Sequence, residues 1–245
     1  MKYLFLQNGD SALTVQFEKE ISKEINGYVT ALASLTEQAN IEGVIETIPT
    51  FASLTVLYDC TVISSKNLKK KLSGLIENIS AKGDSLVRIF DIPVCYDGEF
   101  SPDMDNVCSH TGLTRDEVIS LHTSKPYLIY MLGFLPGFAY LGGMDKRLAT
   151  PRLKNPRLEI FKGAVGIGGE QTGIYPIASP GGWQLIGKTP VLVYDSSKEN
   201  PILYNAGDYI KFCSVTRKEF DEIEKQVLDG TYKPEIREAR FLLKL

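Results

Sequence analysis

The chain has 245 residues, is 43% hydrophobic and carries a net charge of −3 with a pI near 5.6, enough apolar material for a real core and no basic footprint for nucleic acid. No run of about 18 apolar residues is present to cross a membrane. The apolar run at Tyr3–Leu6 is too short for a signal peptide, and the four cysteines contain no CxxC pair, which fits a reducing, cytoplasmic setting.

Tyr3–Leu6 and Ala12–Phe17 are short apolar runs on either side of the turn signal Asn8-Gly9-Asp10, which predicts two strands. Apolar residues at 21, 25, 28, 29, 32 and 35 then lie on one helical stripe. Gly43 opens a strand at Val44–Ile48, and Pro49-Thr50 leads to another at Ser53–Tyr58, where Leu54, Val56 and Tyr58 alternate with smaller residues. A second helix takes Ser64 or Ser65 as N-cap and carries Leu68, Leu72, Leu75, Ile76 and Ile79 on one face. The order ββαββα predicts a four-stranded sheet with two helices on it, without visible chemistry. Polar Ala81-Lys82-Gly83-Asp84 reads as a linker. Residues 1–85 are therefore expected to form an N-terminal α/β domain and residues 86–245 a second domain.

The second domain opens on a predicted strand at Leu86–Val94. Thr114-Arg115-Asp116-Glu117 is a capping box, in which a Thr hydroxyl and a Glu carboxylate satisfy orphan N–H groups at a helix start. Thr216-Arg217-Lys218-Glu219 repeats it, with Phe220, Ile223, Val227 and Leu228 on one face and Gly230 as the stop. Between these helices lie strand-like runs at Tyr127–Leu132, Ala164–Ile167, Trp183–Ile186, Val191–Tyr194 and Tyr209–Phe212. Several short strands with Gly and Pro turns predict a closed barrel or a sandwich, and an α+β class for the whole chain.

Residues Gly133 to Pro190 are dense in Gly, Pro and aromatics, and loops so long in a compact domain are usually functional. Five segments carry a resemblance: GFLPGFAYLGG at Gly133–Gly143, TPR at Thr150–Arg152, PR at Pro156–Arg157, QTGIYP at Gln171–Pro176 and SPGGWQLIGKTP at Ser179–Pro190. They resemble the 5-oxoprolinase B-subunit family, which includes the sporulation kinase inhibitor. The first half matches more weakly. The family is related to allophanate hydrolase subunit 1 and to the carboxyltransferase domain, subdomains C and D, of urea carboxylase and urea amidolyase. The resemblance implies a cyclophilin-like β-barrel for the second domain. It implies a subunit of a complex, with companion subunits A and C, that hydrolyses 5-oxo-L-proline to L-glutamate with ATP as co-substrate. It leaves open which subunit binds ATP. One family member inhibits a sensor histidine kinase, so binding to such a kinase is the alternative. A carboxyltransferase-like role in urea or allophanate metabolism is a third reading, weakened because no biotin-carrier or biotin-carboxylase segment occurs here.

Arg147, Arg152 and Arg157 are spaced by five and interleaved with Pro151 and Pro156, which forbid a continuous helix. An Arg fork pairs bidentately with carboxylate, so Arg152 and Arg157, both in matching PR dipeptides, are candidates to hold a substrate carboxylate or else pins for loops. Arg147, beside Asp145, reads as such a pin. His122 ends the first capped helix, where it can serve the helix dipole or act as acid or base; the family has a His at this point. Gln171, Thr172 and Tyr175 follow the Gly-rich Gly163–Gly169, where backbone can approach a ligand and Gln or Tyr can polarise a lactam. Phe134, Phe138, Tyr140 and Trp183 are candidates for a pocket wall, or for ordinary core. Gly182–Thr189 satisfies GxxxxGK[ST] literally. A turn precedes it, Pro190 and a strand pattern follow, and bulky Trp, Leu and Ile fill the x positions, so no phosphate loop is expected there. Cys95, Cys108, His110 and His122 match no zinc spacing, and no metal is expected.

Overall fold

The computed structural model of the chain describes residues 2–18, 22–79 and 82–244. Its first strands follow the apolar runs: β1 (Leu4–Gln7), β2 (Ala12–Gln16), β3 (Val44–Pro49) and β4 (Ser53–Tyr58). They pair antiparallel in the order β1-β2-β4-β3. In β4 the alternate residues Leu54, Val56 and Tyr58 are buried and their neighbours half-buried, as a sheet with one covered face requires. The cover is two helices, α1 (Lys23–Gln38) and α2 (Ser65–Glu77). Ser22 Oγ accepts the Ile25 N–H, and Ser64 Oγ accepts the Asn67 N–H. Ile25, Val29, Leu32, Leu68, Leu72 and Ile76 pack with Leu13, Val15, Leu54 and Val56 in one core. Ile21, placed on the stripe by its spacing, lies outside the described residues. The stripe is also rotated from the expected one. Tyr28 and Leu35 are half-buried, while Asn26 and Thr36 are buried because each finds a carbonyl, at Thr50 (3.2 Å) and Leu32 (2.7 Å).

By contacts the chain divides into two compact units, Met1–Leu86 with Arg240–Leu245, and Val87–Ala239. The remaining elements in chain order are β5 (Lys82–Val94), α3 (Met104–Thr111), α4 (Arg115–His122), β6 (Tyr127–Leu132), β7 (Ala139–Gly142), β8 (Arg157–Ile160), β9 (Ala164–Gly168), β10 (Gln171–Ile174), β11 (Ser179–Gly181), β12 (Gln184–Lys188), β13 (Tyr209–Ser214), α5 (Arg217–Leu228) and β14 (Glu235–Lys244). A five-stranded sheet has the order β14-β5-β13-β6-β7, with β13 parallel to β5 and antiparallel to β6. A three-stranded sheet β10-β9-β12 and a two-stranded sheet β11-β8 complete the strands. Phe90, Ile92, Tyr127, Ile129, Val165, Ile167, Ile186 and Phe212 share one core with Val107 and Val118 of α3 and α4. Both capping boxes form: Thr114 and Glu117 at α4, Thr216 and Glu219 at α5.

Three expectations need correction, and one element is new. Lys82, Gly83 and Asp84, read as linker, begin β5, which is flanked in its sheet by β14 and β13; Ala81 lies outside the described residues. Val191–Tyr194 is not a strand. Val191 and Val193 are buried, the Val191 N–H donates to Thr189 Oγ1 at 3.2 Å and the Val193 carbonyl accepts from the Leu203 N–H at 3.1 Å, but only Tyr194 forms a bridge, to Ile202. Leu228 is 81% exposed, because α5 buries only Phe220 deeply. Helix α3 was not foreseen, since just two of its residues, Met104 and Val107, face the core.

Candidate functional site

Phe138, buried just before β7, takes the edges of four neighbouring rings: Phe134 at 5.4 Å, Tyr140 at 5.2 Å, Tyr175 at 5.6 Å and Trp183 at 5.6 Å between centroids. Such edge-to-face pairs contribute roughly 0.5–1.5 kcal/mol each beyond burial. Phe138, Tyr175 and Trp183 are core residues packed with Ile160 and Leu185, whereas Phe134 is 62% exposed. Phe134 also adopts φ +64°, a left-handed conformation that costs a bulky residue about 1–2 kcal/mol and clusters at functional sites. Two glycines let this cluster close. A Cβ on Gly168 would lie 2.3 Å from the Trp183 indole nitrogen, and one on Gly181 would lie 2.6 Å from the Tyr175 hydroxyl.

The two candidate arginines are held differently. Arg152 is exposed, with its guanidinium 5.9 Å from the centre of the Trp183 ring, and has no carboxylate partner among the described residues. Arg157 opens β8 and donates from Nη2 to Asp103 Oδ1 at 2.6 Å. Asp103 is 4% exposed at its side chain; its Oδ2 accepts the Leu185 N–H at 2.7 Å. Asp103 stands at the N-terminus of α3 yet makes no capping bond with its side chain, which is spent on β12 instead. Sequence reasoning missed it, because that position signals a cap and not an ion pair. Burial pushes the Tyr175 phenol up, partly offset by the Trp183 backbone N–H and by the charges of Arg152 and Arg157. Both guanidinium groups thus act on one buried hydroxyl. Arg147 forks onto Asp145, with its Nη2 2.8 Å from Oδ2, and is exposed.

Three buried side-chain atoms of the described residues lack a hydrogen-bond partner: Arg157 Nη1, Ser179 Oγ and Gln184 Oε1. All three belong to β8, β11 and β12. Ser179 and Gln184 were not singled out as binding residues, although both stand in the segment Ser179–Pro190 that carries the family resemblance.

His122 and Thr172 meet elsewhere in the same unit. Thr172 Oγ1 donates to the Gly166 carbonyl at 3.0 Å, so it can only accept from His122 Nε2, 2.7 Å away. That fixes the proton on Nε2 and leaves Nδ1 to accept the Tyr96 hydroxyl, also at 2.7 Å. The ring stacks on Phe212 at 4.5 Å and is fully buried. Burial lowers its pKa to about 3, so it is neutral at physiological pH. Gln171, half-buried, opens β10 opposite Gly168. The structure therefore groups the sequence-chosen residues into an arginine–aromatic corner around Tyr175 and a buried relay through His122 and Thr172.

Lys188 lies on a strand, its backbone exchanging hydrogen bonds with Cys95 at 2.9 Å. Its ammonium sits 5.0 Å from the Phe100 ring centre, 5.2 Å from that of Phe220 and 3.4 Å from Glu224. That geometry is not a phosphate loop. No group of three or more His, Cys, Asp or Glu able to hold a metal occurs among the described residues.

Residues 3–204 match the family described as carboxyltransferase domain, subdomain C and D. The chain is 43% identical to the B subunit of 5-oxoprolinase from Bacillus subtilis (strain 168), over 92% of its own length and 98% of that relative's. The solved structure of TTHA0988 matches with a TM-score of 0.73 and 36% identity over 83% of this chain, which spans 40% of that longer chain. The urea amidolyase of K. lactis shares the fold at a TM-score of 0.82 and 24% identity, over 99% of this chain and 16% of that one. The chain belongs to the 5-oxoprolinase B-subunit family, within the carboxyltransferase domain, subdomain C and D.

Proposed function

We propose that this chain works as the B subunit of an ATP-dependent 5-oxoprolinase that opens 5-oxo-L-proline to L-glutamate together with companion subunits A and C. Family membership supplies the reaction. Within the site, the observation that carries the reading is Arg152: an exposed guanidinium without a carboxylate partner among the described residues, steadied on Trp183 beside the Tyr175 hydroxyl. An anionic substrate satisfies such a group with a charge-assisted bond worth roughly 1.5–3 kcal/mol.

In this reading Arg152 takes the substrate carboxylate and Arg157 adds positive potential from its Asp103-braced position. Tyr175 and Gln171 polarise the lactam, and Phe134, Phe138, Tyr140 and Trp183 form the apolar wall. Transfer of a phosphoryl group from ATP to the lactam oxygen activates the ring carbon for water; the ring C–N bond then breaks as the nitrogen takes a proton, and a second water releases phosphate from the resulting acyl phosphate to give L-glutamate; the nucleotide site is not assigned to this chain. His122, buried and neutral, acts as a positioning residue that orients Thr172 and the β10 turn. The finer architecture belongs to the same reading: a boundary near residue 85, a cyclophilin-like barrel after it, and a cytoplasmic location. No helix among the described residues is long and apolar enough to cross a membrane, and all four cysteines are free.

The test is ATP hydrolysis stimulated by 5-oxo-L-proline, with this chain alone and with subunits A and C. Stimulation is expected only from the assembled complex. An assembled complex without lactam-dependent ATP hydrolysis would overturn the reading.

A further inference from the structure

A buried polar atom without a partner forfeits its hydrogen bonds to water and gains nothing in return, so native proteins keep few of them. Here those of the described residues all fall on β8, β11 and β12, at Arg157, Ser179 and Gln184. Asp103 ties two of them together, accepting from Arg157 Nη2 at 2.6 Å and from the N–H of Leu185, the residue after Gln184, at 2.7 Å. Arg157 is registered opposite Gly181 and Ser179 opposite Ile160 in the β8–β11 pair. Gln184 Nε2 donates to the Pro151 carbonyl at 2.9 Å, and the Leu153 N–H donates to the Gly182 carbonyl at 2.6 Å. Residues 151–156 are thereby strapped along the start of β12 and run directly into Arg157. Ser179 and Gln184 are each 7% exposed.

The chemistry of the three atoms differs. Arg157 Nη1 only donates and carries positive charge; Nη2 is already spent on Asp103. Gln184 Oε1 only accepts, and its own amide is spent on Pro151. Ser179 Oγ can do either. A plain carboxylate would satisfy the arginine and leave the Gln184 oxygen bare. A ligand that satisfies both offers an anionic oxygen and an N–H within one small frame.

We propose that Arg157, Ser179 and Gln184 form a mixed donor–acceptor seat selecting a compact ligand that bears both a carboxylate and an amide N–H. This rests on the reading of the same corner as the 5-oxo-L-proline site and deepens it: Gln184 Oε1 receives the lactam N–H, and Arg157 Nη1 with Ser179 meets one oxygen of the carboxylate whose other oxygen Arg152 takes. The three atoms are enclosed, so a ligand reaches them when the strap at residues 151–156 shifts. Arg152, exposed on that strap, travels with it and provides the first electrostatic contact.

The experiment is isothermal titration calorimetry of the assembled complex without ATP. The ligands are 5-oxo-L-proline and the corresponding lactone, in which a ring oxygen replaces the N–H. A seat built to hydrogen-bond an N–H rejects the analogue that lacks it. Wild type is expected to prefer the lactam by about tenfold or more, and Gln184→Leu to bring the two ligands level. Gln184→Leu also loses the bond to Pro151, so Ser179→Ala is the second variant. Removing an unpartnered buried hydroxyl leaves the fold's thermal stability equal or higher. The same variant is expected to weaken lactam binding roughly fivefold to tenfold. If wild type prefers the lactam and both variants keep wild-type affinity and preference, the seat is wrong and the function stands. If the wild-type complex does not bind the lactam, the functional reading falls and the seat with it.

Discussion

Arg152 and Arg157 stand five residues apart in similar sequence, yet the packing gives them separate duties. Arg152 contributes to folding through an exposed cation–π contact worth about 0.5–1 kcal/mol. Lys keeps the charge but loses the planar fork. Arg152→Lys is therefore expected to lower substrate use by the complex about tenfold while the melting temperature of the chain barely moves. Arg157→Ala is the opposite case. It leaves the Asp103 carboxylate buried and unpaired, which costs toward the lower end of roughly 3–5 kcal/mol because Arg157 is itself 30% exposed at its side chain. Urea denaturation of the isolated chain reads that loss directly; a variant as stable as wild type would show that the Asp103 pair is dispensable. His122 supplies a pH signature. Its folded pKa lies at about 3 against an ordinary 6.5, so between those values the unfolded chain binds the extra proton. The His122 contribution is thus complete above pH 6.5 and drains away as pH falls toward 3, at about 1.4 kcal/mol per pH unit within the window. His122→Gln is expected to be less stable than wild type at pH 7.5. It should also lose about 2 kcal/mol less than wild type on moving to pH 5. Equal pH slopes for the two proteins would mean that the ring is solvated.

At the scale of elements, β12 explains why a literal phosphate-binding pattern does not fold as a phosphate loop here. The motif's glycine–lysine pair sits on a ladder strand, and Gly187 packs so closely on Val94 that a Cβ would stand 2.7 Å away. The Lys188 ammonium is caged by Phe100, Phe220 and Glu224. Lys188→Ala is expected to leave the ATP affinity of the complex within about twofold while costing the chain roughly 1–2 kcal/mol of stability. A large loss of nucleotide binding by a folded Lys188→Ala complex would reinstate the phosphate reading. Legibility followed the same logic. Helices with explicit caps were readable to the residue, as at Thr114 and Thr216, because capping is a local contract between four consecutive residues. The short strands β8, β10 and β11 were not, since each is three or four residues long and borrows its hydrogen bonds from a distant partner. The aromatic cluster was legible as a set of ring-bearing positions. Asp103 was not, because its partners Arg157 and Leu185 lie 54 and 82 residues away.

For the whole molecule the question is how much of the chain can stand alone. Residues 2–79 carry a sheet in which the central strands β2 and β4 are paired on both sides, and two helices that bury Ile25, Val29, Leu32, Leu68 and Leu72 against it. Among the described residues that core is drawn from its own segment. A chain of about 80 residues buries roughly 60% of its unfolded surface, which is marginal but sufficient when the apolar face is continuous. The exposed edges are the weak point. β1 presents Leu4 and Leu6 at 49% and 45% exposure, and β3 presents Ile45 at 69%. Residues 1–79 expressed alone are therefore expected to fold, with a single cooperative urea transition and dispersed amide resonances. They should associate as concentration rises, through unpaired edge strands. Lysine substitution at Ile45 is expected to suppress that association without shifting the urea midpoint by more than a few tenths of a molar unit, because the side chain is already in water. A fragment with a non-cooperative transition would show that the segment depends on the remainder of the chain, Arg240–Leu245 included, for its stability.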